Sequence, residues 1–500
     1  MDKILIKGRG IPVFLILWVF CTATMFWIEA DSYTHDIFVR GDTGWFMAAG
    51  RFMMEGQVPY VDFADSKGLL LWLIYGLGYL MCNHNYIGVF WIETIISAIT
   101  FLYSYKTAKL LLHDKRLALF ATILMAFPYY TSLLHGRHME FRCEDFCLMP
   151  IAWGIYYLEA AIRNKEVMMR WIPGIMLGFG FVYCIMIKWT IGVMYMGLLG
   201  AWIFWAFRSK QFKSILSLVA GIVLFVLPFV GLFLYYGNFD AFIYEYFVNT
   251  GKTINQSLGE MLLTYFTNDW PHLFKRQGVI SFLWIVFAML YCYITRLKNI
   301  LPILSGIFIL SVAVKHDLGY YTIVVAPFAI YACVMFVRWV VVKFEMTPRR
   351  WVVFIIVWYI LNTVPNFIMN EGMWYNSDRE LFYKIEYILA QVKKPSVILS
   401  GNNGVTTRSL AGTKYWLSQL GETKEMGMSR REDVKMNKAD FVFGDFEDII
   451  DKSHYEKYNL TDKRGTSVSF WGPKGLKYPT DNFCISDWDI LLKKRVINAK

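Results

Sequence analysis

Residues 40–78 read RGDTGWFMAAGRFMMEGQVPYVDFADSKGLLLWLIYGLG. A polar segment that carries Asp42, Asp62, Asp65 and Lys67 leads here directly into an apolar run. The stretch also follows the first apolar segment of the chain, at 11–29. Ionisable residues at a membrane boundary are costly and usually functional. We therefore expect this loop to carry chemistry at the surface of a membrane scaffold.

Composition indicates the protein class. The chain is 56% hydrophobic and 18% charged, with a mean hydropathy of +0.40, whereas soluble domains are about 45–50% apolar and about 25% charged. Apolar runs long enough to cross a bilayer recur along the chain. The sequence predicts a polytopic α-helical membrane protein with about 11 transmembrane helices. The short alternating segments of a membrane β-barrel are absent from the sequence.

Charge indicates orientation and not nucleic-acid binding. The formal net charge is +11, but Lys and Arg cluster in short loops between apolar runs, as orientation signals do. No nucleic-acid motif accompanies the charge. Lys3, Lys7 and Arg9 place the N-terminus in the cytoplasm and the first loop, 30–85, outside. The first apolar run is longer than a signal-peptide core, so we expect an uncleaved span.

The apolar segment at 68–82 has a special role in this topology. At about fifteen residues it is too short to cross comfortably, and we predict a juxtamembrane or re-entrant helix on the outer side. If it crossed, every later basic cluster would move to the wrong face. The predicted spans are 11–29, 86–106, 117–134, 146–162, 171–187, 189–207, 214–235, 279–295, 300–314, 320–342 and 351–369.

The composition changes near residue 371. Residues 377–393 have a helical pattern, and 396–401, 439–445 and 467–472 have the apolar runs and turn residues of short buried strands. We predict a transmembrane module over 1–370 and a small extracytoplasmic α/β domain over 371–500. The glycine stretch after the first strand, SGNNG, lacks the spacing of a nucleotide-binding loop.

Charged residues collect in the predicted outer loops. Carboxylates suit proton abstraction from a hydroxyl, and Lys and Arg suit a phosphate-bearing leaving group. The candidates are Asp42, Asp65, Lys67, Arg137, Arg142, Glu144, Asp145, Lys188, His316 and Tyr320. Structural alternatives stay open, because Asp42 also fits a helix N-cap and Asp65 with Lys67 fits a surface ion pair. The scattered cysteines complete no zinc set, so no metal site is predicted in the thiols.

The pattern G-D-x-x-W-F-M-A-A-G-R-x-M-x-E-G-x-V-P-Y-x-D-F-x-D-x-K-G-L-L-L-W-L resembles the first outer loop of C-fold (GT-C) membrane glycosyltransferases. It is most similar to bacterial relatives of the protein O-mannosyltransferases and the lipid A aminoarabinose transferase. Asp42 matches the acid after the first span, and Lys67 matches the lysine of a Lys-Pro-Pro motif. Gly68 and Leu69 replace the two prolines, and Thr43 stands where some members have a second acid.

Shorter matches extend this resemblance. The family's second acid, at the outer start of the fourth span, corresponds to Glu144 or Asp145. Lys188 matches the tip of a helical hairpin. The segment KHDLGYYTIVVAP resembles the family's outer turn, with Tyr320 and Pro327 in place.

The resemblance implies an inverting transfer of a sugar from a polyprenyl-phosphate donor to a glycan, lipid or protein acceptor outside the cytoplasm. Asp42 would be the general base, and a pocket for donor and acceptor would include Asp65, Glu144, Asp145, His316 and Tyr320. The lipid phosphate would be held by Lys67, Arg137, Arg142 and Lys188. The sugar and the acceptor stay open, as does a divalent cation, Mg²⁺ or Mn²⁺, because only some C-fold enzymes use one.

Two alternatives come from other functional classes. A transporter or flippase of lipid-linked sugars would predict inverted repeats and broken helices, and the sequence has no such repeat. An assembly subunit without chemistry would have no need of Asp42 and Lys67. The leading hypothesis is therefore a cell-membrane glycosyltransferase.

Overall fold

The computed structural model describes residues 3–6, 9–28, 42–82, 87–134, 141–249, 290, 293–295, 299–313, 319–347, 349–357, 360, 379–389, 391–392, 396–399, 410–411, 424–444, 446–461 and 467–479. The chain forms two compact units. Unit 1 comprises 1–29, 91–232 and 256–371, and unit 2 comprises 30–90, 233–255 and 372–500.

Helices make up most of the described chain. The α-helices are α1 (Val13–Ile28), α2 (Asp42–Met54), α3 (Leu69–Met81), α4 (Ile87–Leu112), α5 (Lys115–Leu134), α6 (Cys143–Phe146), α7 (Leu148–Arg163), α8 (Glu166–Met169), α9 (Trp171–Ile187), α10 (Trp189–Arg208), α11 (Phe212–Tyr236), α12 (Phe239–Phe242), α13 (Ile300–Ala313), α14 (Ile330–Lys343), α15 (Arg379–Leu389) and α16 (Lys424–Lys435). A π-helix follows α12 at Ile243–Asn249, and a 3-10 helix precedes α14 at Gly319–Ala329.

The length and the apolar composition of several helices indicate that they cross a membrane. Within the described residues, four stretches are long and apolar enough to span a bilayer: Ile87–Leu112, Trp189–Arg208, Phe212–Tyr236 and Ile323–Lys343. Shorter apolar helices accompany them. The protein is therefore a multi-pass membrane protein, as predicted.

Most predicted spans correspond to observed helices. Helices α1, α4, α5, α7, α9, α10, α11, α13 and α14 fall at predicted positions. The predicted spans at 279–295 and 351–369 lie largely outside the described residues, so the total of about eleven stays a prediction. Helix α3 has 13 residues, about 20 Å of helix at 1.5 Å per residue. This length agrees with the predicted short helix, whose outer position stays a prediction.

Polar contacts join the helices of unit 1. The fully buried carboxylate of Glu159 in α7 accepts hydrogen bonds from Arg163 Nε at 2.6 Å and from Tyr331 OH of α14 at 3.0 Å. Arg338 of α14 donates to the carbonyl of Leu111 at 2.6 Å, which satisfies one of the open carbonyls at the end of α4. Buried polar groups in a membrane bundle require such partners.

Small residues let helices α2 and α3 of unit 2 approach closely. A Cβ atom added to Gly50 of α2 would lie 2.5 Å from the backbone nitrogen of Gly76 in α3 and 2.9 Å from the carbonyl oxygen of Trp72. Phe46 and Tyr75 pack edge to face across the same contact, with ring centroids 5.5 Å apart. Glycine at position 50 therefore sets the spacing of the two helices.

Strands occur at both ends of the chain. An N-terminal hairpin, β1 (Lys3–Ile6) with β2 (Arg9–Pro12), was not anticipated from the sequence, which indicated only the basic flank of a span. The C-terminal sheet contains β3 (Ser396–Leu399), β4 (Leu410–Ala411), β5 (Phe441–Phe443), β6 (Tyr455–Thr461) and β7 (Ser467–Pro473) in the order β4-β3-β5-β7-β6.

The C-terminal sheet is mixed. Strand β3 pairs in parallel with β4 and β5, and β7 pairs antiparallel with β5 and β6. Three of the strands, β3, β5 and β7, lie where the sequence predicts them, and α15 lies in the predicted helical segment. A buried cluster around Val434, Val442 and Trp471 forms the core beside the sheet. The domain boundary near residue 371 stays a prediction.

Candidate functional site

In unit 2 the first predicted loop positions a buried lysine. Lys67 is 6% exposed and immediately precedes Gly68, the N-cap of α3. Its Nζ lies 4.0 Å from Asp65 Oδ1, donates to Ser66 Oγ at 3.3 Å, and stands 5.6 Å from the ring centroid of Phe46 in α2. The lysine thus presents a cation held by one carboxylate, one hydroxyl and one aromatic face.

The backbone around Lys67 is fixed by a buried tyrosine. Tyr60 OH donates to the Lys67 carbonyl oxygen at 3.0 Å, and its ring packs against Trp72 and Phe242 at centroid distances of 4.7 and 5.2 Å. Burial, with smaller effects from Tyr246 and Asp65, raises the pKa of Tyr60 well above its ordinary value. The phenol therefore stays protonated and continues to donate this hydrogen bond.

A second segment of unit 2 anchors the same loop. Asn238, which is buried just before α12, donates from Nδ2 to the carbonyl oxygen of Pro59 at 2.7 Å. In the sequence, Asn238 lies between the predicted spans 214–235 and 279–295, with no signal for a contact to the first loop. The link explains why residues 233–255 belong to the same compact unit as the first loop.

In unit 1 an ion pair joins α6 to the connection between α9 and α10, 44 positions later in the sequence. Lys188 Nζ lies 2.7 Å from Glu144 Oε1. Glu144 is fully buried in α6, and Lys188 is the single residue between α9 and α10. Cys143 Sγ donates to the other carboxylate oxygen, Glu144 Oε2, at 3.1 Å.

The environment of Glu144 keeps its carboxylate ionised. Burial alone would raise the pKa of Glu144, but the charge of Lys188 and the hydrogen bonds from Lys188 and Cys143 outweigh burial and lower the pKa below its ordinary value. At neutral pH the pair is therefore a carboxylate and an ammonium in close contact, a charge-assisted arrangement. Lys188 is a cation that already has an anionic partner.

The neighbouring acid, Asp145, has a different position. Its Oδ2 accepts the backbone N–H of Arg142 at 2.8 Å, while its own N–H donates to the Arg142 carbonyl at 3.0 Å. This reciprocal arrangement closes the start of α6, as acids at helix N-termini do. The sequence left open whether Glu144 or Asp145 corresponds to the family's second acid; in the structure it is Glu144 that contacts Lys188.

The other predicted site residues have only partial structural descriptions. Asp42 is the first residue of α2, and Tyr320 lies in the 3-10 helix at Gly319–Ala329; only the backbone is described at both positions. Arg137 and His316 lie outside the described residues. Among the His, Cys, Asp and Glu that the structure describes, no group of three could hold a metal ion. The divalent cation stays a prediction.

Some contacts had no signal in the sequence. In the sequence Cys143 is one of the scattered cysteines, and Tyr60 is one residue of the V-P-Y stretch of the first loop. Their contacts, to Glu144 and to the Lys67 carbonyl, depend on the local fold. A short side chain next to an acid, or a tyrosine seven positions before a lysine, is too common a pattern to predict either.

The comparisons with known proteins bear on this geometry. Residues 66–235 match the model of the family described as dolichyl-phosphate-mannose-protein mannosyltransferase. The structure of ArnT from Cupriavidus metallidurans bound to undecaprenyl phosphate superposes with a TM-score of 0.55 at 14% identity, over 94% of this chain and 98% of that one. The chain has the C-fold (GT-C) of membrane glycosyltransferases. The predicted resemblance is thus confirmed.

The matched family segment contains some of the candidate residues. It includes Lys67, Glu144 and Lys188 and begins after Asp42. The structure of the Archaeoglobus fulgidus oligosaccharyltransferase in complex with Zn and sulfate superposes with a TM-score of 0.41 at 10% identity, over 92% of this chain and 73% of that one. The curated proteins contain no sequence match to the chain.

Proposed function

We propose that the protein transfers a sugar from a polyprenyl-phosphate donor to a cell-envelope acceptor on the outer side of the cell membrane. One observation carries this proposal. Lys67 is a buried cation at the start of a short apolar helix, on a fold whose solved neighbour ArnT holds undecaprenyl phosphate. A lysine in such surroundings is suited to the phosphate of a lipid.

The proposed reaction is an inverting displacement. The Asp42 carboxylate takes the proton of the acceptor hydroxyl, whose oxygen attacks the anomeric carbon of the sugar. The bond between that carbon and the phosphate oxygen breaks, and the polyprenyl phosphate leaves with the bonding electrons. The leaving charge is stabilised by cations, because developing negative charge is where electrostatic catalysis acts.

The other predicted roles complete the proposal. Lys67, Arg137, Arg142 and Lys188 bind the donor phosphate, and Asp65, Glu144, Asp145, His316 and Tyr320 line the pocket for donor and acceptor. The N-terminus is cytoplasmic and the C-terminal α/β domain extracytoplasmic. The acceptor is a glycan, a lipid or a protein. A divalent cation, Mg²⁺ or Mn²⁺, is the cofactor to test by its removal with a chelator.

The decisive experiment measures sugar transfer by purified protein in lipid with a panel of polyprenyl-phosphate sugars. We expect the wild type to consume one donor, and Asp42→Asn to lose roughly a hundredfold or more of the rate, since an amide is no general base. Donor consumption unchanged by Asp42→Asn would discard Asp42 as the base. Movement of intact donor between leaflets without consumption would instead identify a flippase.

The first loop offers a matched control. Asp62 lies in the same loop, is exposed, and accepts the Val58 N–H at 2.6 Å through Oδ2. An asparagine oxygen can accept the same hydrogen bond, so Asp62→Asn should keep nearly the full transfer rate. A similar loss in both variants would indicate damage to the loop and not the loss of a base.

A further inference from the structure

A patch of cations and aromatic rings lies in unit 1 at the start of α9, the end of that helix opposite to Lys188. It consists of Arg170, Trp171, Phe207, Arg208, Phe212 and Lys213, which we call the basic–aromatic patch. All six side chains are exposed. Each cation is adjacent in sequence to a large aromatic ring, in three separate pairs.

Direct contacts join these pairs into one surface. Lys213 Nζ stands 5.6 Å from the ring centroid of Trp171, and Phe207 packs edge to face on Phe212 with centroids 5.6 Å apart. Cations over indole rings are attracted by the ring quadrupole. The first contact bridges α9 and α11, and the second closes the turn between α10 and α11.

The backbone beneath the patch is held tightly. A Cβ atom added to Gly174 of α9 would come within 1.9 Å of Ser217 Oγ in α11. The turn from α10 to α11 is closed by hydrogen bonds from Lys210 N to the Phe207 carbonyl at 3.1 Å and from Gln211 N to the Ala206 carbonyl at 2.9 Å. The starts of α9 and α11 therefore stand side by side, and the turn presents Arg208 and Lys210 outward.

The apolar surface next to the patch has the form of a lipid contact. Exposed apolar side chains next to it are Ile172 (65%) at the start of α9 and a row along α11 at Leu216 (61%), Val219 and Val223. Exposed cations directly above exposed apolar rows match a phospholipid, whose phosphate lies above its acyl chains. Within 163–171 and 208–213, all of which the structure describes, Glu166 is the single acid against six Lys and Arg residues.

We propose that the basic–aromatic patch binds the headgroup of an anionic phospholipid in the leaflet at which α9 and α11 begin. Arg170, Arg208 and Lys213 of the patch and Lys210 of the adjoining turn neutralise the lipid phosphate. Trp171 and Phe212 lie at headgroup level as interfacial aromatics do, and the acyl chains follow the exposed row of α11. This inference is independent of sugar transfer.

A matched control in unit 1 is the turn between α4 and α5. It carries Lys109, Lys115 and Arg116, but the described residues there expose no large apolar side chain. Asp114 also places a carboxylate in this turn, where it accepts the N–H groups of Arg116 and Leu117 at 2.7 and 2.9 Å. The control turn thus has three cations, as do the positions Arg208, Lys210 and Lys213, but no exposed large apolar side chain among its described residues.

The test is native mass spectrometry of the full chain in mixed micelles with phosphatidylglycerol or with phosphatidylcholine of the same acyl chains. We expect the wild type to retain phosphatidylglycerol preferentially. Arg208→Gln/Lys210→Gln/Lys213→Gln should weaken that binding on the order of a hundredfold, at about fivefold per cation near an anionic lipid. Lys109→Gln/Lys115→Gln/Arg116→Gln should bind phosphatidylglycerol like the wild type.

Two results would overturn the proposal. Equal retention of both lipids by the wild type would show that the protein has no preference for an anionic headgroup. Equal losses in both triple variants would show that the binding depends on overall charge and not on the patch. If the patch triple does not fold, Lys213→Gln alone decides, with an expected loss of about fivefold against none for Lys115→Gln.

Discussion

The Glu144–Lys188 ion pair allows a prediction at the scale of single residues. Glu144 is fully buried, and the Lys188 side chain is 12% exposed. Removing one partner of a buried pair leaves the other charge uncompensated and costs about 3–5 kcal/mol. We expect Glu144→Gln to lose about that much stability, measured by unfolding in detergent, and Glu144→Gln/Lys188→Met to recover part of it in a double-mutant cycle.

A second ion pair of the same length is the control. Arg51 Nε and Glu55 Oε1 are also 2.7 Å apart, but Glu55 is 28% exposed, and such pairs contribute at most about 1 kcal/mol. Glu55→Gln should therefore change stability little. Equal effects of Glu55→Gln and Glu144→Gln would contradict the assignment of Glu144 as a buried charge that needs its partner.

The same pair has a definite pH dependence. Because the pKa of Glu144 is lower in the folded protein than the ordinary value of about 4.3, the pair's stabilisation is fully present above that value and is lost as pH falls through the lowered pKa. The stability difference between wild type and Glu144→Gln should be constant from neutral pH down to about pH 5 and shrink below about pH 4. A difference that shrinks already near neutral pH would contradict the lowered pKa.

The residue scale also marks a limit of sequence reasoning. The acids Glu144 and Asp145 are adjacent in sequence. Their spacing alone does not indicate which of them pairs with a lysine and which caps a helix. The distinction comes from Lys188, which the chain brings back 44 positions later. Lys67 was identifiable from its motif, whereas its contact with Phe46 required knowledge of how α2 packs on α3.

At the scale of elements, the contact between α2 and α3 gives the next prediction. Gly50→Ala would place a methyl group 2.5 Å from a backbone nitrogen of α3, and such overpacking typically costs about 1–3 kcal/mol. Asp42 begins α2 and Lys67 directly precedes the N-cap of α3. We therefore expect Gly50→Ala to lower both the unfolding temperature and the rate of sugar transfer.

Gly200 supplies the matched control for this substitution. It lies inside α10, and a Cβ atom there would meet nothing within 4 Å. Gly→Ala in a helix interior is otherwise favourable by about 0.5–1 kcal/mol. Gly200→Ala should leave stability unchanged or slightly higher. A Gly50→Ala variant as stable as Gly200→Ala would show that α2 and α3 can separate without cost.

Elements were predictable where one strong signal dominates. Long apolar runs gave the spans, because burial in lipid leaves few alternatives to a helix. The N-terminal hairpin was missed because its four-residue strands lie in a basic flank, where charge was the stronger signal. The 3-10 helix before α14 was missed because an apolar run has the same appearance in either helix type.

The orientation of the whole molecule can be tested at two exposed positions, Val61 and Lys210. If α3 does not cross the membrane, the helices between them that cross are α4, α5, α7, α9 and α10, an odd number, so the two positions face opposite sides. We expect Val61→Cys to react with a membrane-impermeant thiol reagent in intact cells, and Lys210→Cys only after the membrane is opened. The unmodified chain measures background labelling.

A crossing α3 would give a different pattern of labelling. The number of crossings between the two positions would then be even, and both cysteines would react from the same side. That result would contradict the outer position of the first loop relative to the basic turns. Labelling of Lys210→Cys but not of Val61→Cys in intact cells would show that the chain has the opposite orientation in the membrane to the one predicted.

The candidate site was predictable only as a set of residues. The predicted outer loops identified the acids and cations of the candidate site, and the family resemblance indicated a role for each of them. Which of them share a contact followed from tertiary structure: Lys67 with Asp65, and Lys188 with Glu144. The assignment of residues 233–255 to unit 2 could not be predicted either. The hydrogen bond from Asn238 to Pro59 joins residues that are 179 positions apart in sequence.

The composition of unit 2 has a consequence for biosynthesis. Its three stretches, 30–90, 233–255 and 372–500, are interrupted by long insertions. A ribosome that adds about 5–20 residues per second needs on the order of tens of seconds to go from residue 90 to residue 372. During that time the first loop is already synthesised, while the last stretch of its compact unit does not yet exist. Contacts between the first loop and the C-terminal stretch of unit 2 can therefore form only after translation has passed residue 372.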